Sequence, residues 1–209
     1  MKFLAGKHRL SMLITNYQKN VGIINKLRYY LNINMLKQLY YTLIYPYLSY
    51  GVMSWGNTYP TKLTKIQTKQ NKCIRNIFFA NSKEKAIPYF KLLEIIQLYN
   101  IKQLKVAILT YKILVEKEVP SAYSNYLIPA MQTHSYNTRF ASQLNIHRPK
   151  VRTNYGIHTF KYISSQLWES INVDVKRYSK NLFKKSHKVY LFYILKINYK
   201  YYLRQLSSA

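Results

Sequence analysis

The chain has 209 residues, with 33 Lys and Arg against six Asp and Glu, and a formal net charge of +27. A chain this positive repels itself unless a polyanion neutralises it, which predicts nucleic acid or an anionic membrane as its partner. Phosphoryl transfer with two metal ions needs clustered carboxylates, and the six acids form no obvious pair. They are Glu84, Glu94, Glu116, Glu118, Glu169 and Asp174.

The basic composition has an alternative explanation in the gene. Lys, Asn, Ile and Tyr are the residues that an AT-rich gene encodes, and the chain has 23 tyrosines. That bias does not explain the scarcity of glutamate, whose codons suit such a gene equally well. We therefore interpret the basicity as functional. Hydrophobic residues make up 48% of the chain, which allows a real core rather than a disordered basic tail.

The composition argues against a metal site, a disulfide and a membrane span. The single cysteine, Cys73, excludes an internal disulfide and a multi-cysteine zinc site, and the five histidines are scattered. No cofactor is therefore predicted. No apolar stretch approaches the roughly 20 residues of a transmembrane helix. The apolar run after Met1 is too short for a signal peptide, so the protein is predicted to be soluble and intracellular, in the cytoplasm or the nucleus.

The first half of the chain has the spacing of helices. Residues 1–13 fit no pattern and are left as an unassigned leader, whereas residues 14–119 are predicted to form an antiparallel helical bundle. Apolar residues at steps of three and four predict a first amphipathic helix from Ile14 to Leu31. Asn34 is predicted to cap a second helix, which Pro46 should kink or split.

The third predicted helix, Lys62 to Phe78, has the clearest amphipathic pattern. Its apolar arc includes Cys73, interpreted as a small core residue, and one polar exception, Gln70. The opposite arc is entirely basic, with no acid to relieve the repulsion, and is predicted to contact phosphates; the alternative is an ordinary solvated face. Its residues are Lys62, Lys65, Lys69, Lys72 and Arg75.

From Pro120 onward the pattern becomes irregular, and residues 120–209 are predicted to form a basic C-terminal extension. Alternation from Arg152 to Phe160 weakly favours a strand or hairpin, and Tyr162 to Ile171 is predicted to be a short helix. The predicted fold class is therefore mainly α. An antiparallel helical bundle is followed by a smaller, more irregular region with a short strand or hairpin and helices.

The end of the chain is a basic amphipathic segment. Ser179 is predicted to cap a helix that carries Lys184 and Lys185, both candidate nucleic-acid-binding residues. The stretch from Leu182 to Lys200 mixes lysine with aromatic and aliphatic residues, as helices at a membrane surface do. A basic membrane-surface protein is therefore an alternative function. Because basic residues are spread over every third of the chain, nucleic acid is favoured.

Five segments, in order along the chain, resemble the C-terminal part of non-LTR retrotransposon reverse transcriptases of the LINE type, related to jockey elements. No single segment decides the resemblance, but the ordered series is fairly specific. The segments are Val21–Tyr29 (GIxxKLRY in the family), Leu43–Gly51 with Trp55–Asn57 (LYPYLxYG and WGN), Lys69–Ile77 (LQKKAIRII), His134–Arg139 (HxYxTR) and Leu167–Ile171 (LWNSLP).

This resemblance implies that residues 14–119 are thumb-like and hold a template RNA and a DNA primer. The family's paired catalytic aspartates lie in an upstream palm with its Mg ions, and nothing in this chain matches them, so the chain is expected to be inactive alone. The missing palm and fingers are further possible partners. In the HSYNTR loop, His134, Tyr136 and Arg139 suit unpaired nucleotides, or the loop is structural and caps neighbouring backbone. A maturase-like RNA-binding domain is the related alternative.

Overall fold

The computed structural model describes residues 2–56, 60–117, 119–133, 136 and 138–191, except for the side chains of residues 2–14, 54, 60–62, 122 and 124. Within these ranges the chain is mainly helical, and the one β-bridge is an isolated antiparallel pair, Pro129 with Ile146. The mainly-α prediction is confirmed. The chain divides into two compact units, of which residues 102–190 form the second, and the predicted boundary near Pro120 lies inside this second unit.

The first unit consists of helices joined by short connections. They are α1 (Lys2–Leu27), α2 (Ile33–Leu39), a π-helical turn (Tyr40–Ile44), α3 (Tyr45–Ser49), α4 (Val52–Trp55), α5 (Pro60–Ile77), α6 (Ile87–Leu92) and the start of α7 (Leu98–Tyr111). Residues 2–13, unassigned from the sequence, are the first turns of α1. α1 contacts α2, the π-helical turn and α5, and α5 contacts α6.

The second helix begins earlier than predicted. The Asn32 side chain accepts a hydrogen bond from the Met35 backbone N–H at 2.9 Å, and its backbone is extended, as in an N-cap. The prediction of Asn34 as the cap was wrong. Asn32 has the same capping side chain two positions upstream, so Asn34 already lies within the first turn of α2.

Pro46 interrupts the hydrogen-bond ladder of the helix that follows. Proline has no N–H to donate to the carbonyl four residues earlier, and its ring clashes with that carbonyl. The chain widens into the π-helical turn, where the Tyr45 N–H bonds to the Tyr40 carbonyl, and α3 then starts with Pro46 in its first turn. Gly51, at φ +62°, separates α3 from α4. The predicted interruption by Pro46 is thus a π-helical turn before the proline, and the helical backbone continues through it.

α5 places its apolar arc in the core of the first unit. Ile66, Cys73, Ile74 and Ile77 are all buried, as the sequence predicts. Burial raises the pKa of the Cys73 thiol to about 12, so the thiol stays protonated and packs as a small core side chain.

Gln70 is the polar centre of this core. Its side-chain amide donates to the Tyr40 hydroxyl at 2.8 Å and to the Ile96 carbonyl at 3.0 Å. Its oxygen accepts from the Leu98 backbone N–H at 2.9 Å, which satisfies a donor in the first turn of α7. Gln70 therefore ties α5 to the π-helical turn and to the connection between α6 and α7.

The second unit packs around Trp168, whose indole N–H donates to the Leu144 carbonyl at 2.9 Å. Its elements are the rest of α7, a π-helical turn (Lys112–Glu116), α8 (Ser121–Ser124), a 3₁₀ turn (Ala130–Gln132), α9 (Arg139–Ser142), a 3₁₀ turn (Gly156–His158), α10 (Phe160–Glu169), α11 (Val173–Lys176) and α12 (180–191). Its core residues are Ala107, Tyr111, Ile113, Leu127, Ile146, Trp168, Ile171 and Phe183.

Residues 152–160 form no strand. A turn from Thr153 is closed by the Gly156 N–H, which donates to the Thr153 carbonyl at 3.0 Å, and the 3₁₀ turn follows. The predicted strand was wrong because Thr153, Asn154 and Gly156 favour a turn over the weak alternation. A Cβ at position 156 would lie 2.9 Å from Val151, so the close approach at this turn also requires glycine.

Candidate nucleic-acid interface

The basic arc of α5 lies opposite the buried apolar arc. Lys65 and Lys72 are exposed and Lys69 is half-buried. Steps of four and three along a helix place these side chains on one face. In the described part of the chain, no ion pair involves these three lysines, so their charges are available to an anion. Lys62 belongs to the same arc by spacing, but its side chain lies outside the described residues.

Arg75, the last basic residue of the arc, is held by the turn that follows α5. Its Nη1 donates to the Glu84 carbonyl at 3.2 Å. The Glu84 carboxylate accepts from the Tyr89 hydroxyl and from the Asn81 backbone N–H, and these two bonds lower its pKa, the Tyr89 bond most. The negative charge of Glu84 therefore lies near Arg75 and partly offsets its positive charge. Because the lysines have no such neighbour among the ion pairs of the described residues, they are the better contacts for an anion.

An open groove of about 270 Å³ lies where α1 packs against α5. Two lysines of the basic arc and several side-chain amides line it. Ammonium and amide groups both donate hydrogen bonds to anionic oxygens, so the groove offers what a phosphate group needs. The lining residues are Tyr17, Gln18, Val21, Gly22 and Asn25 from α1, and Lys69, Lys72 and Asn76 from α5.

The two groove lysines repel each other. Partial burial lowers the pKa of the Lys69 ammonium from its ordinary value, and the neighbouring charge of Lys72 lowers it further. Both effects disfavour a positive charge that has no counterion. An anion placed between the two ammonium groups would offset this cost.

An aromatic cluster adjoins the groove at Asn76. Arg28 Nη1 donates to the Asn76 carbonyl at 3.3 Å, and the guanidinium carbon lies 4.9 Å from the ring centroid of Tyr29 and 4.5 Å from that of Phe79. The two rings meet edge to face with centroids 5.3 Å apart. Sequence reasoning missed this cluster. The sequence feature that could have indicated it is a pair of adjacent aromatic residues at the end of each of two basic helices, Tyr29 with Tyr30 and Phe78 with Phe79.

The HSYNTR loop belongs to the second unit and is only partly described. Tyr136 is exposed, and so is Arg139 in the first turn of α9. Thr138 caps that helix by accepting from the Ala141 N–H at 3.1 Å. This cap agrees with the structural alternative for the loop. His134 lies outside the described residues.

α12 carries the other two predicted basic residues. Lys184 and Lys185 are exposed neighbours near its start, and the same helix also exposes Leu182 and Val189. Residues 192–200 of the segment suggested for a membrane surface lie outside the described residues. Of the predicted residues, the structure thus brings Lys69 and Lys72 into one groove.

The described ranges contain no group of three or more His, Cys, Asp or Glu side chains that could hold a metal ion. Nor does any helix there have the length and apolar character to cross a membrane. Comparison with protein-family models, with curated proteins and with solved structures finds no match for this chain.

Proposed function

We propose that this chain binds nucleic acid through its phosphates, using the lysine face of α5 and the adjoining groove. The observation that carries the proposal is the line of Lys65, Lys69 and Lys72, opposite a buried arc and without an ion pair in the described residues. Lysines bind phosphate as point charges and read no base edges. Binding of this kind fixes a strand in place and is independent of sequence.

We further infer that the bound nucleic acid is a template–primer, and that the chain is a C-terminal fragment of a retrotransposon-type RNA-directed DNA polymerase. The five ordered segments that resemble this family support the inference. Asp174 is the only aspartate in the chain, so the paired aspartates of a palm are not present in it and no polymerase step is assigned to it. Such a fragment would act in the cytoplasm or the nucleus and could pair with a separate palm and fingers portion.

Binding is expected to weaken steeply with salt. If about five to eight phosphates are neutralised, the slope of log affinity against log salt should be roughly −4 to −7, because each contact releases condensed counterions. Fluorescence anisotropy with a labelled duplex and a labelled single strand of unrelated sequences measures this slope. An affinity that stays flat between low and moderate salt, or a strong preference for one sequence, would contradict the proposal.

Replacing Lys65, Lys69 and Lys72 together by glutamine is expected to weaken binding by roughly 10- to 100-fold near physiological salt, about equally for all sequences. The salt slope should shrink by roughly one for each lost phosphate contact. Stability should hardly change, because these side chains stand on the solvent side of α5. Titrations of parent and variant at matched salt, with urea unfolding of each, provide the measurement.

The matched control removes the same charge elsewhere. Lys83, Lys117 and Lys150 are exposed and lie outside α5, so their triple glutamine variant has the same net charge. We expect this control to keep most of the affinity, because it leaves the groove unchanged. If the two triple variants weaken binding equally, the α5 face is an ordinary solvated face and only the total charge matters.

A membrane surface is the second candidate, favoured by the exposed Leu182 and Val189 beside the lysines of α12. Flotation with vesicles of anionic lipid distinguishes it from nucleic-acid binding. If the chain floats with vesicles and does not shift RNA or DNA in a gel, the membrane alternative replaces the proposal.

A further inference from the structure

We propose that the rings of Tyr29 and Phe79 form a stacking platform for an unpaired base whose neighbouring phosphate lies in the α1–α5 groove. The inference rests on the proposed function and refines it, because it places an unpaired nucleotide of the bound template strand at this site. In a duplex the bases are stacked on one another, whereas an unpaired base has free faces that aromatic side chains can cover.

The two rings are exposed and oriented. Tyr29 is 65% and Phe79 55% exposed, so more than half of each side chain faces solvent. Arg28 holds them in position, because its Nη2 donates to the Tyr29 hydroxyl at 2.9 Å and its guanidinium lies near both ring centroids. A platform fixed before binding loses little conformational entropy when a base stacks on it.

The backbone at Phe79 is strained in a way that keeps this ring at the surface. The Phe79 N–H donates to the Asn76 carbonyl and the Ala80 N–H to the Arg75 carbonyl, which together form a Schellman motif at the end of α5. That motif places Phe79 at φ +55°, a left-handed conformation that glycine normally occupies. A bulky aromatic residue is therefore both strained and exposed at this position, where glycine would end the helix at lower cost.

The platform and the phosphate groove share Asn76. Asn76 lines the groove together with Lys69 and Lys72. Its backbone carbonyl accepts a hydrogen bond from the Arg28 guanidinium, which lies beside the two rings. A strand that places a phosphate against the lysines would thus reach the aromatic rings with an adjacent base. Proteins that bind single-stranded nucleic acid combine a basic groove for the backbone with aromatic side chains for the bases, and both lie side by side here.

The test compares three labelled probes of about 12 nucleotides or base pairs. They are a single strand that cannot pair with itself, an abasic strand with the same phosphates, and a duplex. We expect the parent to prefer the strand with bases over the abasic strand. The double variant Tyr29→Ser/Phe79→Gly should bind the strand with bases roughly tenfold more weakly and the other two probes as before. Glycine at position 79 relieves the left-handed strain, which keeps the fold intact.

Two further variants sharpen the result. Phe79→Tyr keeps the ring and should keep the affinity, and Tyr99→Ala removes an exposed tyrosine from α7 and should leave all three probes unchanged. Equal loss on all three probes, or no loss on the strand with bases, overturns the platform and leaves phosphate binding by α5 standing. If the parent binds none of the probes, both the platform and the proposed function are wrong.

Discussion

Replacing Gln70 by alanine is expected to lower the free energy of unfolding by roughly 3–5 kcal/mol. The side chain is fully buried, so its removal leaves a cavity in the core of the first unit. It also removes the amide that donates to the Tyr40 hydroxyl and to the Ile96 carbonyl, and leaves both of these buried oxygens without this donor. Buried polar groups without partners cost more than the hydrogen bonds themselves contribute.

Gln67 provides the matched control one turn earlier on α5. Its oxygen also accepts from the Leu98 N–H, at 3.1 Å, but the side chain is only half-buried. In the Gln67→Ala variant Gln70 still serves the Leu98 N–H, so we expect a loss of less than about 1.5 kcal/mol. Urea unfolding followed by circular dichroism gives both values, and hydrogen exchange of the α5 amides shows where protection is lost. A Gln70→Ala variant as stable as Gln67→Ala would show that the network contributes little.

The burial of Gln70 could be predicted from the sequence, but its hydrogen-bond partners could not. Periodicity alone identified the buried arc of α5 and marked Gln70 as the polar exception within it, because a helix repeats its faces every 3.6 residues. It could not identify Tyr40 and Ile96 as partners. They lie 30 and 26 residues away, and their positions follow from the π-helical turn and the connection between α6 and α7.

The candidate site was predictable only where it lies on a single helix. Lys69 and Lys72 followed from spacing, but the groove depends on the packing of α1 against α5. The Tyr29–Phe79 platform depends on a left-handed residue at a helix end and on Arg28, 48 residues before Asn76. The false strand at residues 152–160 had a different cause, because local turn residues there outweigh an alternation that is only weak.

Acidification from pH 6.5 to about 4 is expected to lower the stability of the second unit by about 3 kcal/mol through His187 alone. The imidazole is buried, its Nε2 has no hydrogen-bond partner, and it stacks on Phe183 with ring centroids 5.9 Å apart. Burial disfavours the charged form and lowers the pKa of His187 to about 4. Between these two pH values the unfolded chain binds the proton and the folded chain does not, so protonation favours unfolding.

The variant His187→Phe isolates this contribution, because phenylalanine keeps a ring on Phe183 and cannot be protonated. In a Trp55→Phe background, Trp168 is the only tryptophan and its fluorescence reports on the core of the second unit. The difference in unfolding free energy between the parent and the variant should be constant well above pH 6.5 and should change in favour of the variant as the pH falls toward 4. Carboxylates titrate in both proteins and cancel in this difference. A difference that does not vary with pH would mean that His187 is protonated in the folded protein without cost, and that water or a neighbouring group reaches its ring.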